Sequence, residues 1–217
     1  MPFKKMIKAV IFDMDGTMFN TEKLWGDVTR KLTERYDITW DEDVRTQMMG
    51  KKDSEALAIL KDYFRINASV KELIAARREM VLEDLSLVKI NEGLLELLDL
   101  LDQKGIKKAI ATSSFKEFTT RLLAQFDLTA RFDTIVTGDD VAVSKPDPAM
   151  FLRTAELIQE KPVECLVLED AQNGVEAAYN AGMRVFAIPH DASRHHDFSK
   201  ADKILSSMSE IDEDLLQ

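Results

Sequence analysis

Residues 7–17 read Ile-Lys-Ala-Val-Ile-Phe-Asp-Met-Asp-Gly-Thr, and this stretch decides the architecture. Ile7 to Asp13 is short and almost continuously apolar, which predicts a strand covered on both faces. Asp13 and Asp15 close it two residues apart, so the strand period places both carboxylates on one side of the chain. Gly16 then permits a tight turn away from the sheet. Further along, Ala109–Thr112, Thr134–Thr137, Leu166–Leu168 and Arg184–Ile188 also read as strands. Between them, Gly93–Lys104 (ended by Gly105), Phe115–Phe126 and 172–181 read as helices. Apolar strands alternating with helices imply an α/β fold, a doubly wound, Rossmann-like parallel sheet. Its ligand site lies at the carboxyl ends of the strands.

The alternation breaks once. No proline falls between residues 3 and 145, and the stretch 19–87 holds only Gly26 and Gly50. That stretch carries apolar residues at helical spacing, such as Leu73, Ala76, Met80 and Val81, with nearly balanced charge. It reads as a small all-α insertion, leaving 1–18 and 88–217 as the α/β core.

Composition narrows the function. The 217 residues carry a formal charge of −10, with a pI near 4.9. A net negative chain repels nucleic-acid phosphates and anionic lipid, so neither is an expected partner. The one cysteine, Cys165, excludes an internal disulfide and begins an apolar strand, which reads as inert core. No apolar run approaches a membrane span. After Lys4 and Lys5 the apolar stretch is cut by Asp13 too early for a signal peptide. A soluble cytoplasmic protein is expected.

Polar groups collect at the strand ends. Thr112, Ser113 and Ser114 follow one strand; Ser144-Lys145-Pro146-Asp147-Pro148 follows another; Glu169 and Asp170 follow a third. Clustered carboxylates attract protons unless a cation is present. The set suits a hard ion of Mg²⁺ type, with lysine and hydroxyls beside it for a phosphate dianion. Such a site favours phosphoryl transfer, with one Asp as nucleophile and a second carboxyl as acid and base.

The four segments, DMDGT at 13–17, ATSS at 111–114, SKPDP at 144–148 and LEDAQNG at 168–174, resemble those of the haloacid dehalogenase superfamily. The resemblance is to its phosphatase and phosphoglucomutase-like branch. It implies Asp13 as nucleophile and Asp15 as general acid and base. It implies that Thr112, with Ser113 beside it, binds phosphoryl oxygens, although Thr112 also suits a helix N-cap. Lys145 is implied to balance the charge between phosphate and nucleophile. Mg²⁺ would be held by Asp13, the carbonyl of Asp15 and Asp170, with Glu169 as ligand or outer support. The insertion 19–87 resembles a cap that closes over substrate, hinged near 17–21 and 85–91. In that branch the loop after Met49-Gly50 faces the active site, so Lys51 and Lys52 are expected to contact substrate; a solvated lysine pair is the plain alternative.

Within the superfamily, Asp15 argues against dehalogenase and phosphonatase chemistry, as does Asp53 in place of the phosphonatase cap lysine. β-Phosphoglucomutase remains the rival. A mutase cap histidine is replaced here by Trp25, and a mutase cap arginine falls on Asp53. Asn20 replaces an aspartate that many relatives carry. A non-catalytic module that senses a phosphometabolite is a third reading, and the intact aspartates oppose it. His190, His195 and His196 share the polar loop 189–200, which reads as solvated. The expectation is a monomeric, Mg²⁺-dependent phosphatase of a small phosphorylated metabolite, a sugar or polyol phosphate.

Overall fold

The computed structural model describes residues 6–49, 51–83 and 85–217; Lys4, Lys5 and Gly50, named above, lie outside them. The first strand, β1 (Ala9–Phe12), leads into four consecutive helices, α1 (Glu22–Glu34), α2 (Glu42–Met48), α3 (Asp53–Phe64) and α4 (Val70–Glu83). Strand and helix then alternate: α5 (Leu94–Lys104), β2 (Lys107–Ala111), α6 (Lys116–Gln125), β3 (Thr134–Val136), α7 (Ala149–Leu157), β4 (Cys165–Glu169), α8 (Gln172–Asn180) and β5 (Arg184–Ala187). A two-residue edge strand, β6 (Lys203–Ile204), completes the order. All pairings are parallel, in the order β3-β2-β1-β4-β5-β6.

The buried strands divide their side chains between two layers, as a period of two requires. Val10, Phe12, Ile110, Leu166, Leu168 and Phe186 face one cluster, which also takes Leu94, Leu97, Leu98 and Leu101 from α5 and Phe118 and Leu122 from α6. Ala9, Ile11, Ala109, Ala111, Val167 and Val185 face the other, with Met150 and Phe151 from α7 and Val175 and Ala178 from α8. Helices therefore cover both faces, and the sheet is doubly wound. Cys165 is buried in the second layer, and burial pushes its thiol up to about 12, which fits an inert core residue.

Winding runs from β1 towards β3 on one side, then returns to β4 and runs to β6. The crevice at the ends of β1 and β4 is the switch point where such sheets bind ligands. The four inserted helices carry an apolar cluster of their own, built on Leu32, Val44, Leu57, Leu60 and Leu73. Their inner side presents Leu24, Val28 and Val81 to the main core. The chain enters and leaves this helical layer side by side. Phe19 bridges Ile90, the Asn20 amide donates to Lys89 O (2.9 Å), and the Asn91 amide donates to Met18 O (2.9 Å).

Helix α5 gives a direct test of the layering. Leu98 is fully buried, whereas Leu95 on the same helix is 43% exposed. Leu98→Ala should cost about 2–5 kcal/mol of unfolding free energy. Leu95→Ala should stay within about 0.5 kcal/mol. Urea unfolding of both variants checks this, and equal losses would contradict the packing face.

Candidate active site

The crevice forms because each strand end stops at a polar residue. The Asp13 amide still pairs with Leu168 O (2.9 Å), which carries the register of β1 against β4 one residue past the strand. Its side chain therefore sits at the sheet edge, buried, beside those of Glu169 and Asp170. One oxygen from each of the three carboxylates lies within 4.8 Å of the others. Gly16 is needed here for two reasons. Its φ is +86°, and a Cβ would fall 2.5 Å from Asp170 Oδ2.

Lys145 reaches into this cluster with 2% of its surface exposed. Its Nζ donates to Asp13 Oδ1 (2.6 Å), Glu169 Oε1 (2.7 Å) and Ala111 O (3.1 Å), which uses all three ammonium protons. Burial works against the ammonium charge, but the carboxylates of Asp13 and Glu169 outweigh it and raise its pKa. Glu169 Oε2 accepts the amides of Asp170 (3.0 Å) and Ala171 (3.1 Å), so both of its oxygens are engaged. Gly174 makes room for it, since a Cβ there would lie 1.7 Å from Glu169 Oε1.

Asp15 stands across the cavity and accepts four hydrogen bonds. Thr21 Oγ1 and Trp25 Nε1, both 2.8 Å away, donate to Oδ1 from the start of the helical insertion. Ser114 Oγ (2.7 Å) and Thr112 Oγ1 (3.3 Å) donate to Oδ2 from the core. Helix α6 begins only at Lys116, so Thr112 is not its N-cap; its hydroxyl accepts the Ser114 amide (3.0 Å) in the turn before it. Trp25 is sandwiched, with the Arg77 guanidinium 4.4 Å from its ring and Phe118 5.0 Å away. Arg77 and Arg78 both pair with the buried Asp53 (3.2 and 2.6 Å).

Asp13, Asp15, Thr112, Ser113, Lys145, Glu169, Asp170 and Lys51 all line one cavity of about 120 Å³. Lys52 does not line it; its ammonium donates to Ala142 O, on the loop leading to Lys145. Asn20 is exposed outside this cavity. The loop 189–200 is not solvated throughout: Ser193 and Phe198 are buried, and His190 turns into the site. His190 Nε2 lies 2.9 Å from Asp170 Oδ2, because the Ile188 amide bonds Glu169 O (2.7 Å) and carries the loop over the site. Nothing local in the sequence marks that contact. Trp25 and Thr21 as donors to Asp15 are likewise visible only in three dimensions, as is the pairing of Glu22 with Arg45 on the cavity wall.

Electrostatics favour a cation. Burial holds the Asp13 carboxyl well above the usual range; Lys145 opposes this, while Glu169, Asp170 and Asp15 add to it. Burial likewise pushes Asp170 up to about 6, against the hydrogen bond from His190. Three buried, oxygen-only donors of this kind fit a hard divalent ion that keeps part of its water shell.

Residues 10–188 match the family model described as haloacid dehalogenase-like hydrolase. A phosphorylated carbohydrates phosphatase of Thermotoga maritima is 36% identical over 188 residues, covering 85% of this chain and 86% of that protein. A mitochondrial (DL)-glycerol-3-phosphatase of Arabidopsis thaliana is 36% identical over 210 residues, covering 93% of this chain and 70% of that one. Among solved structures, CbbY from Rhodobacter sphaeroides in complex with phosphate is similar with a TM-score of 0.86 and 26% identity, over 94% of this chain and 96% of the other.

The raised carboxyls set a pH dependence. Without a divalent ion, the folded Asp170 binds its proton more tightly (about 6) than an unfolded Asp does (about 3.9), so its contribution to stability is lost as pH rises through about 6. A cation bound at these carboxylates would replace those protons. Mg²⁺ should therefore raise the unfolding temperature clearly near pH 7.5 and little near pH 5. Thermal unfolding at both values, with and without Mg²⁺, checks this; equal gains would contradict proton–metal competition.

Proposed function

The chain belongs to the haloacid dehalogenase-like hydrolases, and from that premise we propose that it is an Mg²⁺-dependent phosphomonoesterase of a small phosphorylated metabolite, a sugar or polyol phosphate. The observation that carries this reading is the buried Lys145 bridging Asp13 and Glu169, with Asp15 held across the same cavity. The likeness to a carbohydrate-phosphate phosphatase and a glycerol-3-phosphatase supports the substrate class.

In this mechanism Asp13 attacks phosphorus through its oxygen not bound to Lys145. Lys145, whose three protons are taken, balances the phosphate charge beside Asp13. The Thr112 hydroxyl, with Ser113 beside it, holds phosphoryl oxygens, so Thr112 exchanges its bond to Asp15 for one to substrate. Asp15 enters the cycle protonated at the position that Thr112 vacates, passes that proton to the departing alkoxide, then regains one from the water that hydrolyses the aspartyl phosphate. Thr21, Trp25 and Ser114 orient it throughout. Asp13, Asp170 and the Asp15 carbonyl would hold Mg²⁺, which would supply charge neutralisation to the phosphoryl group. Glu169, whose two oxygens are taken by Lys145 and backbone amides, anchors the lysine and supports the site from outside.

Residues 19–87 act as a cap on the core formed by 1–18 and 88–217, hinging where segments 17–21 and 88–91 run together. Its separate apolar cluster supports a unit that moves as one body. The cap excludes water and supplies the walls that choose the leaving group: Trp25, Arg45, Met48 and Lys51. The indole of Trp25 donates to Asp15 but cannot carry a proton, which favours hydrolysis over the mutase reading.

Phosphate release from a panel of sugar and polyol phosphates tests the proposal. Asp13→Asn should abolish turnover, and Asp15→Asn should lower it about 10²–10⁴-fold. Lys51→Ala should reorder preference within the panel while leaving a small generic ester nearly unaffected. Near-normal rates in either aspartate variant would overturn the mechanism. Conversion of β-glucose 1-phosphate to its 6-phosphate without free phosphate would make the enzyme a mutase.

A further inference from the structure

Asp170 is fixed from three sides. Thr17 Oγ1 donates to its Oδ1 (3.2 Å), Gly16 packs against its carboxyl face, and His190 Nε2 meets its Oδ2 at 2.9 Å. The imidazole is itself built into place. The Ala192 amide donates to Nδ1 (3.2 Å), which leaves Nε2 as the protonated nitrogen and directs that proton at Asp170. A tight turn holds the backbone around it: the His190 amide bonds Ser193 Oγ (3.1 Å), and the amides of Ser193 (3.0 Å) and Arg194 (2.9 Å) bond His190 O. Ser193 is fully buried.

The ring also occupies a partition. Asp170 lines the active-site cavity, His190 lines a second cavity of about 470 Å³, and Glu22 lines both. Glu22 Oε1 lies 3.7 Å from the same Nε2, and Glu22 in turn pairs with Arg45 of α2. The imidazole therefore closes the site behind Asp170 and touches the first residue of α1.

We propose that His190 is a positioning residue for the divalent cation: its Nε2–H fixes the Asp170 carboxylate in the orientation that ligates the ion. The inference rests on the cation site proposed above. A carboxylate with one oxygen tied to a rigid donor presents its remaining lone pairs along fixed directions. Without the His190 donor only the Thr17 hydroxyl holds the carboxylate, and its Oδ2 can turn towards water in the second cavity. Partners of this kind typically change cation affinity 10–100-fold.

The test is Mn²⁺ binding to the full chain without substrate, followed by the loss of the free-ion electron paramagnetic resonance signal. His190→Phe, which keeps the ring and loses the donor, should weaken binding about 10–100-fold. His190→Gln, which places an N–H near the Nε2 position, should restore most of it. Phosphate release at saturating metal should fall far less in His190→Phe than at limiting metal. His190→Leu provides the same comparison should the Phe variant not fold. Unchanged Mn²⁺ affinity in His190→Phe, or a Gln variant as weak as Phe, overturns the role of His190 alone. Failure of the unaltered protein to bind Mn²⁺, or tight binding retained in Asp170→Asn, overturns the cation site and this inference together.

Discussion

A lysine ammonium buried between two carboxylates holds the crevice together. Lys145 spends one proton each on Asp13, Glu169 and the Ala111 carbonyl, so it ties the ends of β1, β2 and β4 at one point. Removing Lys145 would leave the Asp13 and Glu169 carboxyls buried without a counter-charge, the costly way to break such a network. The small residues nearby follow from this contact. Gly174 exists in a space that Glu169 must fill to reach the lysine, and Gly16 in one that Asp170 fills beside it. Placement of the lysine thus dictates which backbone positions around it tolerate a side chain.

Asp15 shows how the two halves of the molecule are joined functionally. Its oxygens divide their partners by origin: Thr21 and Trp25 approach from the first turn of the helical insertion, Thr112 and Ser114 from the loop after β2. All four donors are neutral, so they orient the carboxylate without supplying a counter-charge. Movement of α1 relative to the sheet would remove two of the four bonds at once. The α3 end of the insertion grips the core as well, through Lys52 on Ala142 O and Glu55 on the hydroxyl of Ser144, the neighbour of Lys145. The helices therefore contact both loops that carry the site.

Much of this was legible in the sequence because strand ends in a parallel sheet are fixed by short-range rules. The strands β1 to β5 stand out as apolar runs, and the polar residues that end them converge wherever those strands pair. The edge strand β6 was not legible, since two exposed residues, Lys203 and Ile204, carry no period. Within 19–87 the lack of Gly and Pro punctuation marked a helical block but hid its division into four helices. The polar neighbours of His190 read as a solvated loop, whereas its environment is set by the Ile188–Glu169 register. Lys51 and Lys52 are adjacent in sequence yet diverge, one towards the cavity and the other onto the Ala142 carbonyl.

The charge of the cavity supports the divalent ion of the proposed mechanism. Among the described residues the cavity is lined by six carboxylates, those of Asp13, Asp15, Glu22, Asp53, Glu169 and Asp170, against four cations, Arg45, Lys51, Arg77 and Lys145. The whole chain adds to this excess with its charge of −10, so nothing at long range draws in a phosphate dianion. Two routes can relieve the excess locally. Protons on Asp13 and Asp170 would do so, and burial already pulls both carboxyls in that direction. In the proposed mechanism a protonated Asp13 is no nucleophile, so that route would silence the chemistry. A divalent cation would remove the same excess while leaving Asp13 an anion, and would turn a repelling pocket into one that accepts phosphate. On this reading the buried carboxyls make the proton and the metal ion competitors for one position, and only the second outcome leaves the proposed nucleophile working.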